Sequence, residues 1–193
     1  MSNRASQIIL LCEDKLHEVF VRRFLKAWGV VGLNYKIYVK PYPESSGCGS
    51  QFVISNFPDQ LTAIRSRRDT VKVLIVVIDA DNKTVEERKR ELEKTLEEVE
   101  PKMSKVAADE HVCCVIPKWS IDTWLAYLQD GNASEDESCK NSLRFRNRES
   151  EAHPLIDMLA EKCKQRKALV GSPDSLLKAC KEFERIRDAL VGL

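Results

Sequence analysis

The sequence has almost no net charge: 31 Lys and Arg stand against 30 Asp and Glu, leaving +1. That excludes binding to polyanions through overall charge, so nucleic acid can be met only through a local basic patch. No run approaches the ~18 apolar residues of a membrane span. The apolar part of MSNRASQIILLCED is also too short for a signal peptide's hydrophobic region and cleavage site. A cytoplasmic protein with no membrane contact is expected. Zinc-site spacing is lacking too. There are seven cysteines, an odd number, of which only Cys113 and Cys114 are close, and neighbours in a strand point to opposite faces. Several lie in apolar runs, as Cys12 does in IILLCED, so buried free thiols in a reducing compartment are expected. The glycine loop ESSGCGSQ has no Lys-Ser/Thr, which excludes a P-loop and leaves it as a flap over a sheet edge. There is no internal repeat and no low-complexity segment.

What is present is an ordinary globular composition, 43% hydrophobic and 32% charged in 193 residues, enough for one full core. QIILLC at 7–12 reads as a strand. Residues 16–28 place Leu16, Val19, Phe20, Phe24, Leu25 and Trp28 at helical spacing, with Gly29 as the stop. LNYKIYV at 33–39 alternates like an edge strand, and 51–66 include a helix. VKVLIVVI at 71–78 is a β-branched run suited to a strand buried on both faces. A helix from about 85 to 99, a strand in HVCCVIP and a helix opening IDTWLAYL come next. Polar residues 130–150 separate these from two helices near 151–167 and 174–190, the second capped by SPDS at 172–175. Alternating strands and helices predict an α/β fold with a parallel sheet of about four strands flanked by helices. Residues 1–130 form the α/β core, and 131–193 a polar loop and helical C-terminal extension packed on it.

Ligands of open parallel sheets sit beyond the carboxyl ends of the strands. Glu13 ends the first strand, Asp79 and Asp81 leave the third, and Asp122 comes after the fourth. Asp79 and Asp81, two apart in extended backbone, face the same side. Gathered carboxylates repel one another, and a hard cation neutralises them. Oxygen-only ligands favour Mg2+ or Mn2+ over zinc. Asp14 is expected to be solvated or to cap a helix, and Asn82 and Thr84 to cap the helix near Val85.

Glu13 after one apolar strand and Asp79-Ala80-Asp81 after another resemble the Toprim domain of topoisomerases, primases and overcoming-lysogenization-defect nucleases. The likeness spans about residues 7–128. CEDKLHEVFVRRFL is most similar to small stand-alone bacterial Toprim-like proteins and defence-associated nucleases. PKWSIDTWLAYL resembles their later motif, in which an acid precedes Thr-Trp, so that the acid falls on Asp122. The resemblance implies a Toprim-like fold and a Mg2+- or Mn2+-dependent nuclease with a role in phage defence, with Glu13, Asp79, Asp81 and Asp122 as metal ligands. It also implies an alternative, a non-catalytic or regulatory module working with an ATPase partner. Two departures stand out: the family's glycine is Asp14 here, and its second acid falls on His17, which reads as an ordinary half-exposed helical histidine or, alternatively, as a metal ligand or acid/base group.

A receiver domain also gathers acids at a parallel-sheet edge, but the Asp-x-Asp after the third strand weakens that reading. A phosphodiester, DNA or RNA, needs cations near the carboxylates. Lys118, just after the fourth strand, is the single cation expected to touch a phosphate oxygen and so to join the catalytic set. Arg65, Arg67 and Arg68, the RFRNR cluster with Arg144, Phe145, Arg146 and Arg148, and Lys162, Lys164, Arg166 and Lys167 are candidate patches, with Phe145 available to stack on a base. Trp124 is expected in the core and Trp119 partly exposed.

Overall fold

A computed structural model describes residues 5–30, 36–43, 49–66, 71–99, 101–131, 133–137, 145, 148–165, 167 and 169–191. Four strands, β1 (Ala5–Cys12), β2 (Lys36–Val39), β3 (Val71–Val77) and β4 (Val112–Val115), form one sheet in the order β2-β1-β3-β4. Every pairing is parallel, with Leu10 opposite both Val39 and Ile75, and Val77 opposite Val115. Helices α1 (Lys15–Ala27), α2 (Gly49–Arg65) and α3 (Val85–Glu98) make the three crossovers. Then come α4 (Ile121–Asp130), a short 3-10 turn (Glu149–Ala152), α5 (His153–Lys164), α6 (Asp174–Arg185) and α7 (Arg187–Val191). The predicted α/β class and parallel sheet are what the chain forms. Among the described residues no helix is long and apolar enough to cross a membrane.

Side chains alternate along each strand, so the sheet feeds two cores. Ile8, Leu10, Val73, Ile75, Val77 and Val115 meet α1 and the helices after β4. Ile9, Leu11, Leu74, Val76 and Ile78 meet α2 and α3. β1 and β3 are therefore buried on both faces, which is why their sequences are unbroken apolar runs. The C-terminal helices share the first core: the Phe183 ring of α6 stacks on Phe24 at 4.3 Å, and Trp28 Nε1–H donates to the Ala160 carbonyl of α5 at 3.0 Å.

Several local signals act as read, but the expected SPDS cap of α6 does not: Pro173 stands at the N-cap with no side-chain bond, and Glu135 takes the first N–H groups instead. Asp14 caps α1, its Oδ1 accepting from His17 N–H at 3.0 Å, and Gly29 closes the helix at φ +85, a value glycine adopts without Cβ strain. Thr84 caps α3 in a reciprocal pair with Glu87. Thr84→Ala is expected to cost about 1 kcal/mol, read as a shift of the urea midpoint with an unchanged slope. The expectation of free thiols holds for Cys12 and Cys113, which are buried, and for half-buried Cys114. It is corrected at Cys163 and Cys180, which are bridged: α5 and α6 bring their Cα atoms to 5.8 Å, within disulfide reach.

Candidate functional site

The carboxyl ends of β1 and β3 lie side by side, and the segments leaving the two strands meet there. Glu13, the residue after β1, turns its Oε1 to accept the backbone N–H of Asp79 at 2.7 Å. Asp79 is 7% exposed, and its Oδ1 lies 3.1 Å from His17 Nε2. Gly49, the first residue of α2, closes over Glu13. A Cβ there would lie 2.8 Å from Glu13 Cβ and 3.0 Å from its Oε2, so only glycine permits the approach. The rest of the expected flap, at 44–48, lies outside the described residues.

His17 corrects the expectation most sharply. It is not half-exposed but 1% exposed, in the first turn of α1. Burial opposes its charge, yet the negative fields of Asp79 and Asp14 and the bond to Asp79 outweigh it, raising its pKa to about 10. The protonated ring thus donates to Asp79. Its Nδ1 has no hydrogen-bond partner and lies 4.0 Å from Asp14 Oδ1. The sequence did carry a signal: His17 falls on the same helical stripe as Phe20, Phe24 and Trp28, and a polar residue on a buried stripe needs a buried partner.

Asp122, in the first turn of α4, is 8% exposed, and its Oδ1 is buried without a partner. Burial first, then the charges of Asp79 and Asp14, raise its carboxyl to about 6. Burial first, then Asp79, likewise raise Glu13 to about 7. Three carboxylates thus share one field, and among the described residues the cation that offsets it at Glu13 and Asp122 is His17.

Asp81 is placed differently. The assumption of extended backbone fails, because its φ is +54, so it does not simply repeat the direction of Asp79. Its Oδ2 accepts from Arg88 Nη2 at 3.2 Å. Arg88, on α3, is 4% exposed and also holds Glu91 at 2.7 Å. It occupies the helical position one turn before Leu92, the place of a core residue. The Asp81 backbone forms an isolated antiparallel bridge with Trp119, whose φ is +65. Two facing non-glycine residues in the left-handed region are uncommon and cost roughly 1–3 kcal/mol each. Lys118 stabilises that arrangement: its Nζ donates to the carbonyls of Asp81 at 3.0 Å and Lys83 at 2.7 Å, and lies 4.1 Å from the Trp119 ring centroid. The cation expected to touch phosphate is therefore already bonded within the protein.

Two cations of the candidate basic patches are committed as well. Arg65 pairs with Glu110 at 2.6 Å, and Arg148 with Glu151 at 2.6 Å. Phe145, expected to stack on a base, is instead buried at 6% exposure in the core. Arg67, Arg68, Arg144, Arg146 and Arg166 lie outside the described residues. Trp124 is in the core, and Trp119 is half-buried.

Among the described residues, no three His, Cys, Asp or Glu side chains converge closely enough to form a ready-made metal cage. The donor chemistry nevertheless fits a hard divalent cation. Glu13, Asp79 and Asp122 offer only oxygen, and one oxygen of Asp122 is unclaimed. Comparison with protein-family models, curated proteins and solved structures finds no match.

Proposed function

We propose that the chain is a divalent-metal-dependent phosphodiesterase acting on nucleic acid, a nuclease of Toprim-like character, with Mg2+ or Mn2+ held by Glu13, Asp79 and Asp122. One observation supports the reading: three carboxylates stand at the carboxyl ends of three neighbouring strands, and burial first, then the charge of Asp79, pushes two of them above their ordinary pKa. Strongly perturbed carboxyl pKa values cluster at functional sites. When bound, the metal neutralises the phosphodiester and lowers the pKa of a coordinated water.

The chain's own groups supply the rest. Protonated His17 fixes the Asp79 carboxylate in orientation and keeps it ionised. Asp122, with an unclaimed oxygen, would orient an attacking water. Asp81 moves from ligand to anchor: Arg88 and Lys118 hold it, and through it the turn after Asp79.

The test uses purified wild-type protein with supercoiled plasmid and with single-stranded RNA, in Mn2+, in Mg2+ and in EDTA, alongside calorimetric Mn2+ titration. Metal-dependent cleavage of either nucleic acid, stopped by EDTA, is expected. Absence of both cleavage and Mn2+ heat would overturn the reading. Mn2+ binding without cleavage would favour the non-catalytic module working with an ATPase.

A further inference from the structure

The C-terminal extension reaches the segment around the Asp81–Trp119 bridge through the Glu135 carbonyl, which accepts from Trp119 Nε1–H at 2.9 Å, and through the Ser175 hydroxyl. Ser175, second residue of α6, is 1% exposed. Its Oγ accepts from the backbone N–H of Lys118 at 3.1 Å and from Trp124 Nε1–H at 2.8 Å, and it donates to the Glu135 carboxylate. A hydroxyl has one proton to give and two lone pairs, so all three capacities are used. The start of α6 is capped by Glu135, whose carboxylate takes the N–H groups of Asp174 at 3.0 Å and Ser175 at 3.2 Å. The Ser175 hydroxyl is therefore not occupied in capping its own helix. It faces Lys118, whose Nζ holds the Asp81 and Lys83 carbonyls. The chain of bonds continues from α6 to the turn beyond Asp79.

That turn needs holding. Asp81 and Trp119 both have positive φ, and such backbone persists only where its surroundings over-determine it. We propose that Ser175 is a positioning residue for the carboxylate site: it fixes the Lys118 backbone so that the Lys118 ammonium holds the Asp81–Lys83 turn, and with it Asp79, in register. The metal half of this inference rests on the proposed function, whereas the turn half does not.

Two readouts test it. The first is Mn2+ affinity by calorimetry. The second is the rate of tryptic cleavage after Lys83, followed by mass spectrometry without metal. Glu135→Ala is the control, because it removes the α6 cap yet leaves the Ser175 hydroxyl to Lys118. Ser175→Ala is expected to weaken Mn2+ binding about three- to tenfold, the scale of one lost buried hydrogen bond, and to speed cleavage after Lys83. Glu135→Ala should lower the melting temperature but keep Mn2+ affinity within about twofold, since no bond to the turn is lost. Ser175→Thr, which keeps the hydroxyl, should restore both readouts towards wild type. If Ser175→Ala does not fold, Ser175→Cys, with a poorer acceptor of similar size, carries the same comparison. Ser175→Ala matching Glu135→Ala in both readouts would leave Ser175 a purely structural residue and overturn the proposal. A wild type that binds no Mn2+ would end the metal reading of the site, and cleavage after Lys83 alone would then decide the role of Ser175.

Discussion

Asp79→Asn is expected to abolish measurable Mn2+ binding and to lower plasmid nicking by about a thousandfold or more, with the protein still folded. The substitution is nearly isosteric. The Asp79 N–H that Glu13 accepts belongs to the backbone, so that 2.7 Å bond survives. What disappears is the central charge of the cluster. A hard cation then loses one of its anionic ligands, and His17 loses the partner that keeps it protonated. At pH 8 the loss of the His17–Asp79 pair is offset by relief of Glu13 and Asp122, so the fold is expected to be retained. Without Asp79, His17 returns towards its ordinary pKa and is neutral there, so no buried charge is orphaned. Glu13 and Asp122 are also freed of a repelling neighbour. Lost activity with an intact unfolding transition thus separates chemistry from folding. Glu13→Ala should share the loss of activity. An Asp79→Asn protein that nicks at the wild-type rate, with contaminating nuclease excluded, would place the site elsewhere.

The sheet was legible because its two central strands are buried on both faces and so read as unbroken apolar runs, while caps at Asp14 and Thr84 mark the helix starts beside it. The placing of Glu13, Asp79 and Asp122 at one end of the sheet follows from the same parallel order, since each stands just after a strand or in the first turn of the next helix. The partition within the site was not legible. Whether Asp81 repeats the direction of Asp79 depends on one φ angle, and +54 is a property of the turn, not of the Asp-Ala-Asp spelling. Lys118 looked like a free cation because the carbonyls it serves come from residues 81 and 83, more than thirty positions away. Glu135 and Ser175 carry no pattern that links them to Lys118 or Trp119. His17 and Arg88 differ: each interrupts an apolar stripe at a core position, and that interruption is a readable sign of a buried ion pair.

Without metal, the wild-type protein is expected to lose stability steadily as pH rises from about 5 to about 9. Three groups act in the same direction. Asp122 is raised from 3.8 to about 6 and Glu13 from 4.5 to about 7, in both cases by burial first and Asp79 second. In those windows the folded state keeps protons that the unfolded state has released, so raising the pH favours unfolding. His17 is raised from 6.5 to about 10, against its burial, by Asp79 and Asp14. Its stabilising charge is fully present below 6.5 and is lost as pH climbs through 10. The windows run on from one another, and the groups titrate as one coupled set, so a continuous slope is expected and not three steps. Carboxylates with lowered pKa, such as Glu91 and Glu110, work the other way but only below their ordinary range, leaving the region above pH 5 to the cluster. Mn2+ should invert the trend up to pH 8. Binding must expel the protons of Glu13 and Asp122, so affinity rises with pH, and the stabilisation it confers rises with it. Asp79→Asn should flatten both curves, because it removes the charge that raises His17 and contributes to the rise of Glu13 and Asp122. Urea unfolding at pH 5, 7 and 8, in EDTA and in Mn2+, measures all of this. A metal-free protein that grows more stable between pH 5 and 8 would mean that the carboxylates at this edge are already balanced, and that they have no need of a cation.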